Sequence, residues 1–338
     1  MAETPPQDRL DALDAWLAPA LGGRPFRREP ASADASFRRY FRVFSGDATW
    51  IAMDAPPPAE DCRPFVRIAS LMREAGLHAP EVHAADLDRG FLLLTDLGRQ
   101  TFLQAIDAGH PDPAALFSGA REALVRWQLA SREGELPPYD EALLRREIDL
   151  FPDWFLARHA QAPLEGSEGE AVRTVFDRVL AANLAQSRVF VHRDFMPRNL
   201  MVSEPAPGIL DFQDAVHGPV SYDIACLYRD AFLSWPEEVV LDGTIRYWER
   251  ARAAGLPVPA DFGDFWRDVE WMGLQRHLKV LGIFARLRYR DGKPAYLEDA
   301  PRFLGYVRAT AERYRELAPL ARLVDRLEGR EAKAGYTF

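Results

Sequence analysis

Lysine is nearly missing from this chain. It occurs only at Lys279, Lys293 and Lys333, so arginine supplies almost all of the 42 basic residues. No lysine precedes residue 279, so the N-terminal third has none. Cysteine is nearly missing too. Cys62 and Cys226 stand far apart without metal-ligand spacing, which argues against a disulfide framework or zinc module and predicts two free, partly buried thiols in a reducing compartment. No apolar run approaches the roughly 20 residues of a membrane span. The opening MAETPPQDRLDALDAW is acidic and lacks the apolar core of a signal peptide. A cytoplasmic protein with no membrane partner is the expectation. The formal net charge of -9 repels phosphate backbones, so nucleic acid is not expected as a partner.

What is present suits a globular protein of two lobes or domains. The chain has 338 residues, 48% hydrophobic and 28% charged, long for a single compact core. Residues 8–21 repeat Leu10, Leu13, Leu17 and Leu21 at helical steps, and Gly22-Gly23 stops the run. The period then changes. A strand near 26–29, the alternating SFRRYFRV of 36–43 and TWIAM of 49–53 predict strands, the last two forming a hairpin across Ser45-Gly46-Asp47. A helix over 61–75 follows, then strands over 81–86 and 91–96 closed by Asp88-Arg89-Gly90. After Gln100 the pattern is helical. Pro113 starts a helix reaching about 131, and another begins near 140 and is interrupted by Pro152. Ser167 and Glu170 read as a capping box. Short strands over 189–191 and 209–210 interrupt the helical part, and the remainder from about 222 is helical with loops near 254–262 and 291–295.

Chemistry concentrates in two segments, VHRDFMPRNL over 191–200 and ILDFQD over 209–214, each beside a short apolar strand. Phosphoryl transfer asks little covalent work of a protein. It needs a carboxylate to orient and deprotonate the attacking hydroxyl, and oxygen ligands for the metal on the phosphates. Asp194, Asn199 five residues later and Asp211 at a strand end make that set, with Asp194 as base and Asn199 and Asp211 as metal ligands. His192 reads as support packed under this loop. Asp223 reads as a structural acceptor for the loop's N–H groups.

HRDFMPRN, ILDFQDAVHGPVSYDIA and FLLLTDLG resemble the aminoglycoside-phosphotransferase-like kinases, in matching order from about residue 25 to 320. DASFRRYFRV, IAMDAPP, LFPDWFL and LQRHLKVLGIFARL are similar, more narrowly, to the anomeric kinases of N-acetylmuramate and N-acetylglucosamine from bacterial cell-wall recycling. The resemblance implies an α+β, bilobal, protein-kinase-like fold. Residues 1–96 would form an N-terminal lobe of one helix and a five-stranded antiparallel sheet, and residues 97–338 an α-rich lobe. It implies ATP and Mg2+ as cofactors and an amino sugar as partner, with the protein a monomer. Asp214, intermediate between a structural and a functional reading, is placed near the metal site by the resemblance alone. Adenine would meet the backbone of Thr95, Asp96 and Leu97, and the turn ending at Ser36 would cover the phosphates. Candidate acceptor residues are Glu147, Trp154, Arg198, Tyr228, Arg229 and Gln275. Phe151, Trp154 and Phe155 at helical spacing read first as core and second as a sugar-stacking wall.

The sequence departs from the pattern at Met53, which stands where such kinases carry a phosphate-binding lysine. An arginine of the preceding strand is the expected substitute, since its fork binds phosphate bidentately. Strand alternation puts Arg38 and Arg42 on one face and Arg39 on the other with Phe37, Phe41 and Val43, so Arg38 or Arg42 is favoured. Two other readings stay open: another small-alcohol kinase of this fold, acting on an aminoglycoside, choline or an amino alcohol, and a nucleotide-binding module without catalysis.

Overall fold

A computed structural model describes residues 7–33 and 37–330. Helix α1 (Gln7–Ala20) leads to strands β1 (Arg27–Ala33), β2 (Arg39–Ser45) and β3 (Ala48–Asp54), helix α2 (Arg63–Glu74), and strands β4 (Val82–Asp86) and β5 (Phe91–Thr95). Helices α3 (Phe102–Asp107), α4 (Pro113–Leu129) and α5 (Glu141–Ile148), a π-helix (Phe151–Ala160) and α6 (Gly166–Ala185) follow. Next come β6 (Arg188–Val191), β7 (Leu200–Met201), β8 (Gly208–Ile209) and β9 (Val216–Pro219). The chain ends in α7 (Tyr222–Tyr228), α8 (Glu237–Ala253), α9 (Phe262–Tyr289), α10 (Ala300–Arg313) and α11 (Ala318–Leu327).

The chain divides into two compact units. The first holds residues 1–126 and 197–214, the second residues 127–196 and 215–338. In the first, five antiparallel strands are ordered β1-β2-β3-β5-β4. Alternation sorts the side chains of this sheet. Phe41, Val43, Ala52, Phe91 and Leu93 turn to one face and pack on Leu13 and Leu17 of α1 and on Leu21 just after it. Gly90 closes the β4–β5 hairpin at φ +73°, and a Cβ there would collide with the Ala55 carbonyl, so the turn requires glycine. The segment 197–214 belongs with this unit because β7 and β8 pair there and are anchored to it. Ile209 N donates to His78 O at 2.8 Å, and Met201 bridges to Thr101.

The second unit is built around α9, whose Leu274, Leu278, Leu281 and Ala285 are fully buried. Its small sheet pairs β6 with β9, and Asp223 in the first turn of α7 binds the backbone just after Val191.

Several local expectations need correction. Strand β2 starts at Arg39 rather than Ser36, and β1 runs on to Ala33. Ser167 caps nothing. Helix α6 begins at Gly166 after Glu165, which makes no side-chain cap bond. The capping box stands instead at α3, where Thr101 Oγ1 accepts from Gln104 N and Gln104 Oε1 accepts from Thr101 N. Pro152 marks a change of helix type, with α5 ending at Ile148 and a π-helix beginning at Phe151. Its missing N–H falls at the start of that π-helix, which ends at Gln161, φ +53°. Gly282 of α9 lies so close to Leu150 that a Cβ would overlap its backbone, which sets how near the two segments run.

Candidate active site

The second unit carries the candidate base. After β6 the chain turns sharply, and Arg193 adopts φ +77°, a conformation a side chain resists. Asp223 of α7 pays for that turn: its Oδ2 accepts from His192 N at 2.7 Å and its Oδ1 from Arg193 N at 3.0 Å. Burial pushes the Asp223 carboxyl up to about 7 against those two N–H groups, which pull it down. His192 is fully buried, accepts from Asp194 N at Nδ1 (3.2 Å) and packs edge-on against Phe195. Asp194 is half-buried. Its backbone is thus held from below by two side chains that do not reach solvent.

Arg193 is held at its far end as well. Its guanidinium and Lys279 Nζ (3.0 Å) both pair with Glu147 Oε1. Tyr139 Oη donates to Glu147 Oε2, and Gln275 Nε2 approaches the same oxygen at 3.4 Å. Burial works to raise the Glu147 pKa, but Lys279 and Arg193 together outweigh it and hold the carboxylate at about 2. These contacts join α5, α9 and the catalytic loop.

The first unit carries the candidate metal ligands. The 3-10 turn Pro197–Asn199 presents Asn199, whose carbonyl accepts from Leu210 N at 2.9 Å. Asn199 Nδ2 lies 3.3 Å from Asp211 Oδ2, and Gln213 Nε2 donates to Asp211 Oδ1 at 2.9 Å. Asp211 sits at φ +63°, an angle that Asp tolerates better than most residues. A carboxylate beside a carboxamide is an oxygen donor set of the kind Mg2+ takes, with one or two carboxylates and the remaining positions left to phosphate and water. Among the described residues no cluster of three His, Cys, Asp or Glu suggests another metal. Asp214 is exposed.

The arginines of β2 divide between the two faces of the sheet. Arg39 faces α1 and, with Arg9 (2.6 Å), pairs with the fully buried Asp54. Arg42 makes a fork onto Asp96, with Nε to Oδ2 at 2.7 Å and Nη2 to Oδ1 at 3.1 Å, and also reaches Gly98 O. Burial works to raise the Asp96 pKa, but Arg42 and the Gly98 N–H bring it below the usual range. Arg38 pairs with Glu60 at 3.4 Å. Thr95 Oγ1 meets Glu81 N at 3.2 Å and His83 Nε2 at 3.1 Å, and Leu97 is buried. Ser36 lies outside the described residues.

A family model described as "Phosphotransferase enzyme family" matches residues 27–262. This chain belongs to that family. It is 56% identical to an N-acetylmuramate/N-acetylglucosamine kinase of Pseudomonas aeruginosa, over 96% of this chain and 98% of that one. To the protein of the same name in Pseudomonas putida it is 51% identical, over 95% and 97%. Among solved structures it is similar to the GDP complex of an aminoglycoside phosphotransferase (TM-score 0.62, 14% identity, 88% of this chain and 97% of that one). A choline kinase from Streptococcus pneumoniae gives a TM-score of 0.61 at 12% identity, over 89% and 99%. The bilobal kinase-like fold, α+β with a sheet-based N-terminal part and a helical C-terminal part, is therefore that of this phosphotransferase family.

Within this phosphotransferase the candidate acceptor residues separate by burial. Glu147, Tyr228 and Gln275 are buried, with Glu147 and Gln275 spending polar atoms on each other and on neighbours in the second unit. Glu147 and Gln275 belong to one interior network of the second unit. Trp154, Arg198 and Arg229 are half-buried. Phe151 and Phe155 are core, stacked 5.5 Å apart. Sequence reasoning missed the Arg42–Asp96 fork, the Asp54 pair and the anchoring of Arg193. Each joins residues distant in the chain, and no local pattern marks them. Gln213 was within reach, being two residues beyond Asp211.

Proposed function

We propose that this protein is a kinase that uses ATP and Mg2+ to phosphorylate the anomeric hydroxyl of N-acetylmuramate and N-acetylglucosamine. The observation that carries the reading is near-full-length identity above 50% to two kinases of that name, in a chain that has Asp194, Asn199 and Asp211 at kinase spacing. The Asp194 carboxylate takes the hydroxyl proton as the sugar oxygen bonds to the γ-phosphorus and the bond from that phosphorus to the β–γ bridging oxygen breaks. An anomeric hydroxyl is more acidic than an ordinary alcohol, which suits a carboxylate base. Asn199 and Asp211 would hold Mg2+, which neutralises charge on the phosphates when bound. Two buried free thiols, Cys62 and Cys226, and the absence among the described residues of a helix able to cross a membrane support the proposal of a cytoplasmic enzyme, which we take to act as a monomer.

The deciding experiment supplies each amino sugar with ATP-Mg. Reducing-end signal should vanish in step with ADP release, because phosphorylation blocks the anomeric carbon. A free reducing end on the product refutes the anomeric assignment. Turnover of kanamycin or choline, with none on either sugar, refutes the acceptor class.

Asp211→Ala should abolish turnover and weaken ATP-Mg binding, while metal-free nucleotide binding changes less. Calorimetry of the two titrations tests this, and unchanged ATP-Mg affinity would remove Asp211 as a ligand.

The missing lysine leads us to propose Arg38 as the phosphate contact, because Arg39 faces α1 and Arg42 makes a two-bond fork onto Asp96, whereas the Arg38 pair with Glu60 is longer, at 3.4 Å. Arg38→Ala should lower kcat/KM for ATP by about 10- to 100-fold, the worth of one charge-assisted contact, with little change in stability. Arg42→Ala should instead cost about 1–3 kcal/mol of stability through the lost bonds to a charged partner. Kinetics and urea melts of both variants separate the roles, and the reverse pattern would transfer the phosphate contact to Arg42.

A further inference from the structure

We infer that Arg276 is the anion receptor on the acceptor side, its guanidinium taking the lactyl carboxylate that distinguishes N-acetylmuramate from N-acetylglucosamine. The inference rests on the acceptor proposed above.

Its basis is how the cations of the second unit are spent. Lys279 and Arg193 are paired with Glu147, and Arg229 stands 3.8 Å from Glu270. Arg276 differs from all three. Only 4% of it is exposed, yet among the described residues no carboxylate oxygen lies within 4.0 Å of it. Its one hydrogen bond among those residues runs from Nη1 to the Arg229 carbonyl at 3.3 Å. Nε and Nη2 have no partner there and are not among the polar atoms sealed from solvent. The stem is therefore buried while two donor positions stay open.

A guanidinium cannot shed its proton, and proteins rarely bury one without an anion at hand. Here the fold withholds the direct partner and leaves two donors in the fork geometry that grips a carboxylate. The position suits an acceptor. Helix α9 passes close to α7 at Gly273 and Ala225, and the next α7 residue, Cys226, has its Sγ 3.8 Å from the Arg193 carbonyl. Burial works to lower the Arg276 pKa, but Cys226, Tyr222, Asp194 and Asp230 raise it further, so the cation lies within electrostatic range of the candidate base. Asp194 and Asp230 also repel an incoming carboxylate. Only direct contact with the guanidinium outweighs them, which makes the contact selective.

The test measures kcat/KM by ADP release for both sugars in the wild-type and Arg276→Gln proteins. The ratio of N-acetylmuramate to N-acetylglucosamine should fall about 10- to 100-fold, chiefly through KM for the muramate. An unchanged ratio overturns the inference, whether both activities fall together or neither does. A second comparison needs no variant: wild-type protein with N-acetylmuramate and with its uncharged amide. The acid should be preferred by a similar factor, and equal kcat/KM for the two overturns the inference even if Arg276→Gln does not fold. Wild-type protein that turns over neither sugar but accepts another alcohol fails the acceptor reading first, and this inference with it.

Discussion

Asp194→Asn is expected to lower turnover by roughly 10²-fold or more, the usual worth of a positioned general base. The substitution preserves shape and hydrogen-bonding size and removes only the basic oxygen. The loop should hold its conformation, because its turn is fixed by Asp223 on the His192 and Arg193 N–H groups and by the buried His192 ring, none of which involves the Asp194 side chain. A fall in kcat with an unchanged melting temperature and little change in ATP affinity is therefore the expected result. Steady-state kinetics with both substrates varied, alongside thermal melts, checks all three parts. Turnover near wild type in a folded Asp194→Asn protein would refute the base assignment, and a lowered melting temperature would mean that the carboxylate supports the loop instead.

The largest stability effect is expected at Glu147. Glu147→Ala strands Arg193 and Lys279 in the interior without their shared carboxylate. Breaking a buried pair in this way costs about 3–5 kcal/mol, a large fraction of the stability of an ordinary domain. Activity should fall with it, since Arg193 precedes the candidate base. The same residue leaves a signature in pH. Its folded pKa of about 2 lies below the unfolded value of about 4.3, so its contribution is complete above the unfolded pKa and is lost as pH falls from about 5 toward 2. Linkage puts that contribution at about 3 kcal/mol. Urea denaturation of wild type and Glu147→Gln at pH 7, 5, 4 and 3 tests this. The gap between the two proteins should narrow as pH falls, because protonation makes the wild-type side chain as neutral as the amide. A gap independent of pH would mean that Glu147 is not ionised in the folded protein.

The sequence by itself determined what depends on short separations. Asp194 and Asn199 stand five residues apart in the short connection between β6 and β7, and Asp211 follows just past a strand whose partner is the strand right after Asn199. Spacing of that kind is readable without coordinates because local backbone geometry enforces it. The α1 stripe, the five strands and the face alternation of Arg38, Arg39 and Arg42 were legible for the same reason: side-chain period follows backbone period. The role of Asp223 came from the recognised SYDIA segment and not from any local period.

The tertiary structure decided everything that joins distant residues. Glu147 read as an acceptor contact from its polar surroundings. Its partners, Arg193 and Lys279, lie on elements that meet only once α5 and α9 pack. Arg38 or Arg42 read as the phosphate ligand by strand face alone, and the carboxylate partner of Arg42 waits 54 positions further on. The segment 197–214 joined the first unit through a two-residue strand pair and a bridge to Thr101, contacts too short to leave a pattern. Charge pairing depends on which side chains end up a few ångströms apart, and in a chain of this length that is a property of packing, to which neighbouring residues hold no key.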